Sequence, residues 1–185
     1  MDLVEKAKLL GVVVSSDLSW EENTAYIVKR CNQKIWIIKR LKKLGARISD
    51  LLDVYCKQVR CIAEYAVPVW NSALTGIQVN QIERIQKTAF HVILGNNYTS
   101  YSKALKLLGM PKLSDRRRQL CLKFARKCEK HPKFSKWFIP NKKKFNTRLK
   151  PTKYEEVFAL TQRFEKSPLS YLTNVLNQHY LKKGK

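Results

Sequence analysis

The stretch from Ser19 to Gly45, SWEENTAYIVKRCNQKIWIIKRLKKLG, reads as one long amphipathic helix, and the rest of the chain is laid out from it. Ser19 and Glu22 have the spacing of a capping box, with Ser19 as the cap and Glu22 reaching back to it. Gly45 stands where a helix ends on a residue free to adopt a left-handed backbone. Between them Trp20, Ile27, Cys31, Ile35, Ile38 and Leu41 recur close to helical spacing and form one apolar face. Twenty-five residues at about 1.5 Å each give a rod of about 37 Å. Upstream, Leu9 to Ser15 is apolar and β-branched, the pattern of a short buried strand.

Working downstream, a second helix is expected from Ser49, with Asp50 and Asp53 in its first turn, and it should stop near Val67 because Pro68 follows. Pro68 to Leu74 reads as a loop. A third helix is expected from about Thr75 to Leu94, with Ile82, Ile85, Ala89, Val92 and Ile93 facing inward. A short fourth should run from Ser102 to Leu108, and a fifth from Ser114 to just before Pro132. Gly11, Gly45, Gly76, Gly95 and Gly109 all fall at these boundaries. From Pro140 the chain turns strongly basic: Lys142, Lys143, Lys144, Arg148, Lys150 and Lys153 occur with no acid among them, as in a solvated tail. Leu169 to Tyr180 could close the chain as a short helix. The expected architecture is thus mostly α, a helical bundle preceded by a short β-strand and followed by a basic, irregular C-terminal tail. The expected divisions are 1–18, 19–139 and 140–185.

Composition narrows the function classes. Of 185 residues, 37 are Lys or Arg and only 14 are Asp or Glu, a net charge of +23. Such an excess works against a compact state unless a polyanion neutralises it, so nucleic acid is the first partner to expect and an anionic membrane surface the second. No apolar run approaches the ~20 residues of a membrane span. The acidic residues Asp2 and Glu5 do not fit a signal peptide. Five scattered cysteines, an odd number, suit reduced thiols in an intracellular setting, nucleus or cytoplasm.

Candidate chemistry is sparse. Two-metal phosphoryl transfer needs clustered carboxylates, yet the only adjacent acids, Glu21-Glu22 and Glu155-Glu156, are better read as a helix first turn and a solvated pair. None of the three histidines is followed two residues on by an acid, so the two-His, one-carboxylate iron set is not encoded. No glycine-rich phosphate loop is present. Cys121, Cys128 and His131 admit a zinc reading, but 121, 124 and 128 share a helical face with Phe124 between the thiols, which suits a packed core better. No catalytic residue, metal or cofactor is therefore assigned. The positive signal is a pair of basic stripes. Lys29, Trp36, Arg40 and Lys43 lie on one side of the first helix, opposite its apolar face. Arg116, Lys123, Arg126, Lys127 and Lys130 repeat the arrangement on the fifth. Either stripe alone could be a solvated face, with Trp36 buried against another element. Two stripes and a basic tail together fit sequence-nonspecific contact with nucleic-acid phosphates.

These residues also carry a resemblance. Lys8-Leu9-Leu10-Gly11-Val12 followed by Ser16-Asp17-Leu18-Ser19-Trp20 resembles the segment after the palm in reverse transcriptases of non-LTR retrotransposons, the LINE-like and jockey-like elements. The order continues through Leu41-Lys42-Lys43-Leu44-Gly45 and Glu64-Tyr65-Ala66-Val67-Pro68-Val69-Trp70-Asn71. It goes on with Ile82-Glu83-Arg84-Ile85-Gln86-Lys87, Leu107-Leu108-Gly109-Met110-Pro111-Lys112-Leu113 and Lys166-Ser167-Pro168-Leu169-Ser170-Tyr171-Leu172. The resemblance implies that Leu10, Gly11 and Val12 correspond to the primer grip and that the following helices form a thumb-like domain. Such a domain closes on the backbone of an RNA–DNA or RNA duplex. It implies a parent RNA-directed DNA polymerase whose catalytic Asp-Asp hairpin, palm and upstream half of the primer-grip hairpin are not in this chain. The expectation is therefore a truncated, non-catalytic fragment. Its partners would be nucleic acid, a missing palm, or another copy meeting it through apolar surface. Residues 9 to 45 also resemble a short N-terminal module of an AlkB-homologue protein that acts on alkylated nucleic acid and tRNA. That would imply an accessory role in a dioxygenase or methyltransferase, whose iron triad and S-adenosylmethionine loop these residues lack. A third expectation is a helical interaction protein with amphipathic faces as partner surfaces.

Overall fold

The computed structural model describes residues 4–142 and 152–183. It is mostly helical, with one two-stranded sheet ahead of the helices. The chain divides into two compact units. The first comprises the described residues up to Ala66 together with Leu74–Arg116, and the second Val67–Ala73 with the described residues from Arg117 onward. These units do not follow the expected divisions after residues 18 and 139.

The first unit begins with a hairpin rather than a single strand. β1 (Lys6–Leu9) pairs antiparallel with β2 (Val12–Ser15), with Leu9 opposite Val12. The connecting residues, Leu10 and Gly11, both have positive φ, 47° and 84°, as a tight two-residue hairpin turn requires. The strand expected to be buried is only partly so: Leu9, Leu10 and Gly11 are exposed, Val12 is buried and Val13, Val14 and Ser15 are half-buried.

α1 (Glu21–Lys43) is the expected rod, and its apolar face is the expected one: Trp20, Ile27, Cys31, Ile35 and Ile38 are buried and Leu41 is half-buried. Its start is not the expected capping box. Trp20 is the cap residue, in a left-handed backbone with no side-chain cap. Ser19 is committed elsewhere: its N–H donates to Asp17 Oδ1 at 3.0 Å, and its carbonyl accepts from Gln78 Nε2 at 2.9 Å. A capping box forms instead at α5 (Gly76–Leu94), where Thr75 and Gln78 satisfy each other's backbone N–H groups.

The expected second helix is broken into pieces. α2 (Ile48–Val54) passes into a π-helical turn over Tyr55–Arg60 and then α3 (Cys61–Glu64). The break falls at Tyr65 and Ala66, not at Pro68. Tyr65 is extended, Ala66 has φ 50°, and the Tyr65 hydroxyl donates to the Leu10 carbonyl at 2.7 Å. α1 packs along α5, with the π turn and α3 against α1. Tyr55 and Phe90 are fully buried and meet edge-on, their ring centroids 5.3 Å apart. The Lys42 ammonium donates to the Val92 and Ile93 carbonyls at 2.7 and 2.8 Å, satisfying the C-terminal end of α5. Gly95 with φ 57° follows, and a Cβ there would stand 2.6 Å from Lys42 Nζ.

α6 (Tyr101–Leu107) is capped by Ser100. α7 (Leu113–Lys130) starts on a buried acid. Glu83 accepts from the N–H groups of Leu113 and Ser114 at 3.2 and 3.0 Å and from the Tyr101 hydroxyl at 2.5 Å. Gln86 accepts from Tyr101 and Leu113 as well.

The second unit contains α4 (Val67–Trp70), where a loop was expected. Proline is tolerated in a first turn because its missing N–H would have no helical partner there. Trp70 is buried, and α4 packs on α9 (Pro168–Lys183). That terminal helix is longer than expected and buries Leu172, Val175 and Leu176, so the expected tail ends in core structure. The short α8 (Gln162–Glu165) precedes it. The Tyr154 backbone N–H and carbonyl are both held by the Asn177 side chain, at 2.9 and 3.0 Å. Of the expected lysine run, residues 143–151 lie outside the described residues.

Removing the Glu83 carboxylate leaves the first two N–H groups of α7 and the Tyr101 hydroxyl with fewer buried acceptors. Glu83→Ala should lower unfolding free energy by about 3 kcal/mol in urea denaturation, and Glu83→Gln, which keeps one oxygen, by about half as much.

Candidate nucleic-acid interface

In the first unit the stripe on α1 is solvent-facing throughout. Lys29, Trp36, Arg40 and Lys43 are all exposed, and Trp36 is 56% exposed rather than buried against another element. The Arg40 guanidinium sits 4.6 Å over the Trp36 ring. This cation–π contact orients the guanidinium without using its N–H donors. A second basic and aromatic cluster was not anticipated. The Lys8 ammonium donates to the Tyr26 hydroxyl at 2.8 Å and lies 4.6 Å from the ring centroid, and Arg30 donates to the same hydroxyl at 3.2 Å. Its only sequence signal is the four-residue spacing of Tyr26 and Arg30 on α1. Leu10, Gly11 and Val12 are placed at the hairpin: the first two form the turn and Val12 its buried foot. The strand that pairs with β2 is β1, from within this chain.

Arg116 does not belong with the other basic candidates. Its Nε and Nη2 donate to Glu64 at 2.5 and 3.0 Å, and Arg60 lies 3.7 Å from the same carboxylate. The guanidinium is thus neutralised inside the first unit and is half-buried.

In the second unit Lys123, Arg126, Lys127 and Lys130 are all exposed on α7. With Gln119 and Leu122 they line an open concavity of about 370 Å³. Among the described residues none of the four basic groups is ion-paired. Four such cations along one helical face build up a local positive potential. The opposite side of the helix explains the cysteines. Cys121 and Cys128 are buried, and loss of solvent pushes the Cys121 thiol up to about 12. Phe124, expected between them in the core, is 40% exposed, so the apolar face is narrower than its spacing implied. His131 lies beyond the end of α7, its Nδ1 accepting from the Lys133 N–H at 3.2 Å. Among the described residues no three His, Cys, Asp or Glu side chains are grouped to hold a metal, and no helix is long and apolar enough to cross a membrane.

A further charged cluster in this unit is internal. Glu129 accepts from Lys153 Nζ at 2.7 Å, from the Tyr180 hydroxyl at 2.8 and 2.9 Å, and from the Tyr154 hydroxyl. The Lys153 ammonium lies 3.9 Å over the Tyr180 ring. Burial alone would raise the Glu129 carboxyl. The donors from Lys153, Tyr154 and Tyr180 outweigh that and hold it below its ordinary 4.5.

Comparison with protein-family models, with curated proteins and with solved structures finds no match to this chain.

A carboxylate with a depressed folded-state value contributes stability above its unfolded value and loses it as pH falls. Wild-type protein should therefore be more stable than Glu129→Gln at pH 7. The gap should close as the pH is taken from about 5 toward 3, as read by thermal melting across that range.

Proposed function

We propose that this chain binds the sugar–phosphate backbone of nucleic acid without reading sequence, as a thumb-like portion of a non-LTR retrotransposon polymerase. The observation that carries the binding role is the row Lys123, Arg126, Lys127 and Lys130. It is exposed along an open concavity and is not ion-paired among the described residues. The exposed α1 stripe, with Arg40 over Trp36, supports the same role from the first unit. Phosphate neutralisation releases condensed counterions, which is the main source of affinity for such surfaces. The polymerase part of the reading rests on the ordered motifs from Leu9 to Leu172. The proposed role is binding, since these residues contain no Asp-Asp pair for two-metal transfer.

The test is a salt-titrated binding curve against an RNA–DNA duplex, tRNA and single-stranded RNA. Tighter binding to the duplex, with log K falling steeply against log salt, is the expected result. Equal curves for all three would remove the thumb reading and leave a basic surface. No binding near physiological salt would remove both. Neutralising Lys123, Arg126 and Lys127 to Gln should reduce the magnitude of the duplex salt slope by about 2–3, at about 0.9 for each phosphate left unneutralised.

A further inference from the structure

Just beyond the basic row, the chain leaves α7 and displays three rings in succession. The His131 and Phe134 ring centroids are 4.7 Å apart, and those of Phe134 and Trp137 are 4.8 Å apart. All three side chains are exposed, Phe134 at 37% and Trp137 at 44%. This is costly for an aromatic group unless a partner covers it. The backbone that carries the rings is hydrogen-bonded turn by turn. The His131 carbonyl accepts from the N–H groups of Phe134 and Ser135, at 3.0 and 2.8 Å, and the Phe134 carbonyl accepts from Trp137 at 3.0 Å. The Lys133 N–H holds His131 Nδ1, so the neutral imidazole carries its proton on Nε2. A ladder built on consecutive turns loses little conformational freedom when a flat group slides against it.

The charge around the ladder selects the partner. Lys133 and Lys136 are exposed between the rings, and Lys130, the last basic group of the concavity, directly precedes His131. No acid lies between Glu129, which is committed to Lys153 and the two tyrosines, and Trp137. An apolar partner surface would bring no charge to meet these lysines. An unpaired nucleic-acid strand brings flat bases to cover the exposed ring surface and phosphates to meet the lysines.

We infer that His131, Phe134 and Trp137 form a stacking platform for unpaired bases. It takes the single-stranded extension of a nucleic acid whose backbone lies on Lys123, Arg126, Lys127 and Lys130. This rests on the proposed phosphate-binding role and adds a substrate class to it: a duplex with an unpaired end rather than a blunt one. Base–ring stacking is indifferent to base identity, so the platform adds affinity without sequence preference.

The experiment uses the full chain and three fluorescent probes in anisotropy titrations. They are a blunt RNA–DNA duplex, the same duplex with a short single-stranded extension, and that extension made abasic. Wild type should bind the base-bearing extension about tenfold tighter than the abasic one. The Phe134→Ala/Trp137→Ala variant should lose that difference and keep both its blunt-duplex affinity and its salt slope. Phe134→Tyr/Trp137→Phe, which keeps both rings, should retain the difference. Equal wild-type affinity for the base-bearing and abasic extensions, with the blunt duplex still bound, overturns the platform alone. Failure of wild type to bind any of the three probes overturns the phosphate-binding reading and the platform with it.

Discussion

The buried carboxylate of Glu83 sets the start of α7, and the chain's shortage of acids makes that commitment matter. Two backbone N–H groups and one hydroxyl converge on it from two segments of the first unit. With 14 acids against 37 basic residues, the chain has few anions to place. It puts three of them where they organise structure. Glu83 starts a helix, Glu64 neutralises Arg116, and Glu129 gathers Lys153, Tyr154 and Tyr180. None of these three carboxylates pairs with the exposed rows on α1 and α7, which stay positive. The charge imbalance that points to a polyanionic partner thus follows from where the acids go as much as from how many bases there are.

The fold was legible where local chemistry alone decides. The apolar face of α1 follows from spacing, and five of its six expected residues are buried. Gly95 and Gly109 do adopt positive φ near the ends of α5 and α6, as the boundary reading required. Legibility failed where two equally good local signals were separated by distant contacts. Ser19-x-x-Glu22 and Thr75-x-x-Gln78 are the same motif, yet only the second is used. Asp17 takes the Ser19 N–H and Gln78 takes its carbonyl, a contact between residues 59 positions apart. The break before Pro68 was foreseen, but it comes earlier because Tyr65 reaches Leu10 across 55 positions. The π turn at Tyr55–Arg60 has no sequence signature that periodicity could detect.

The candidate interface shows the same division. A helical wheel finds which basic residues share a face, and Lys29, Arg40, Lys43, Lys123, Arg126, Lys127 and Lys130 are exposed as it requires. It cannot find which guanidinium is already paired, so Arg116 falls with the free cations on the wheel although Glu64 holds it. Phe124 goes wrong in the opposite sense: a position adjoining two buried thiols on the wheel lies at the edge of the buried face, where a ring is 40% exposed. The rings at 131, 134 and 137 flank a proline and lie outside any periodic segment. Only the folded chain shows that they meet.

The make-up of the second unit has a consequence for the order in which the protein can form during synthesis. Its α4 segment leaves the ribosome early, yet Trp70 packs in a unit whose remaining helices come from residues beyond 116. The first unit holds its own hairpin, α1 and α5 and can close once Arg116 is made. α9 begins about a hundred residues after Val67 and about fifty after Arg116, so Val67 and Trp70 lack that partner in the meantime, and long sequence separation slows such contacts further. The nascent chain therefore carries an exposed tryptophan beside an already folded bundle. That interval, set by translation speed, is when the protein is most open to aggregation and to capture by chaperones.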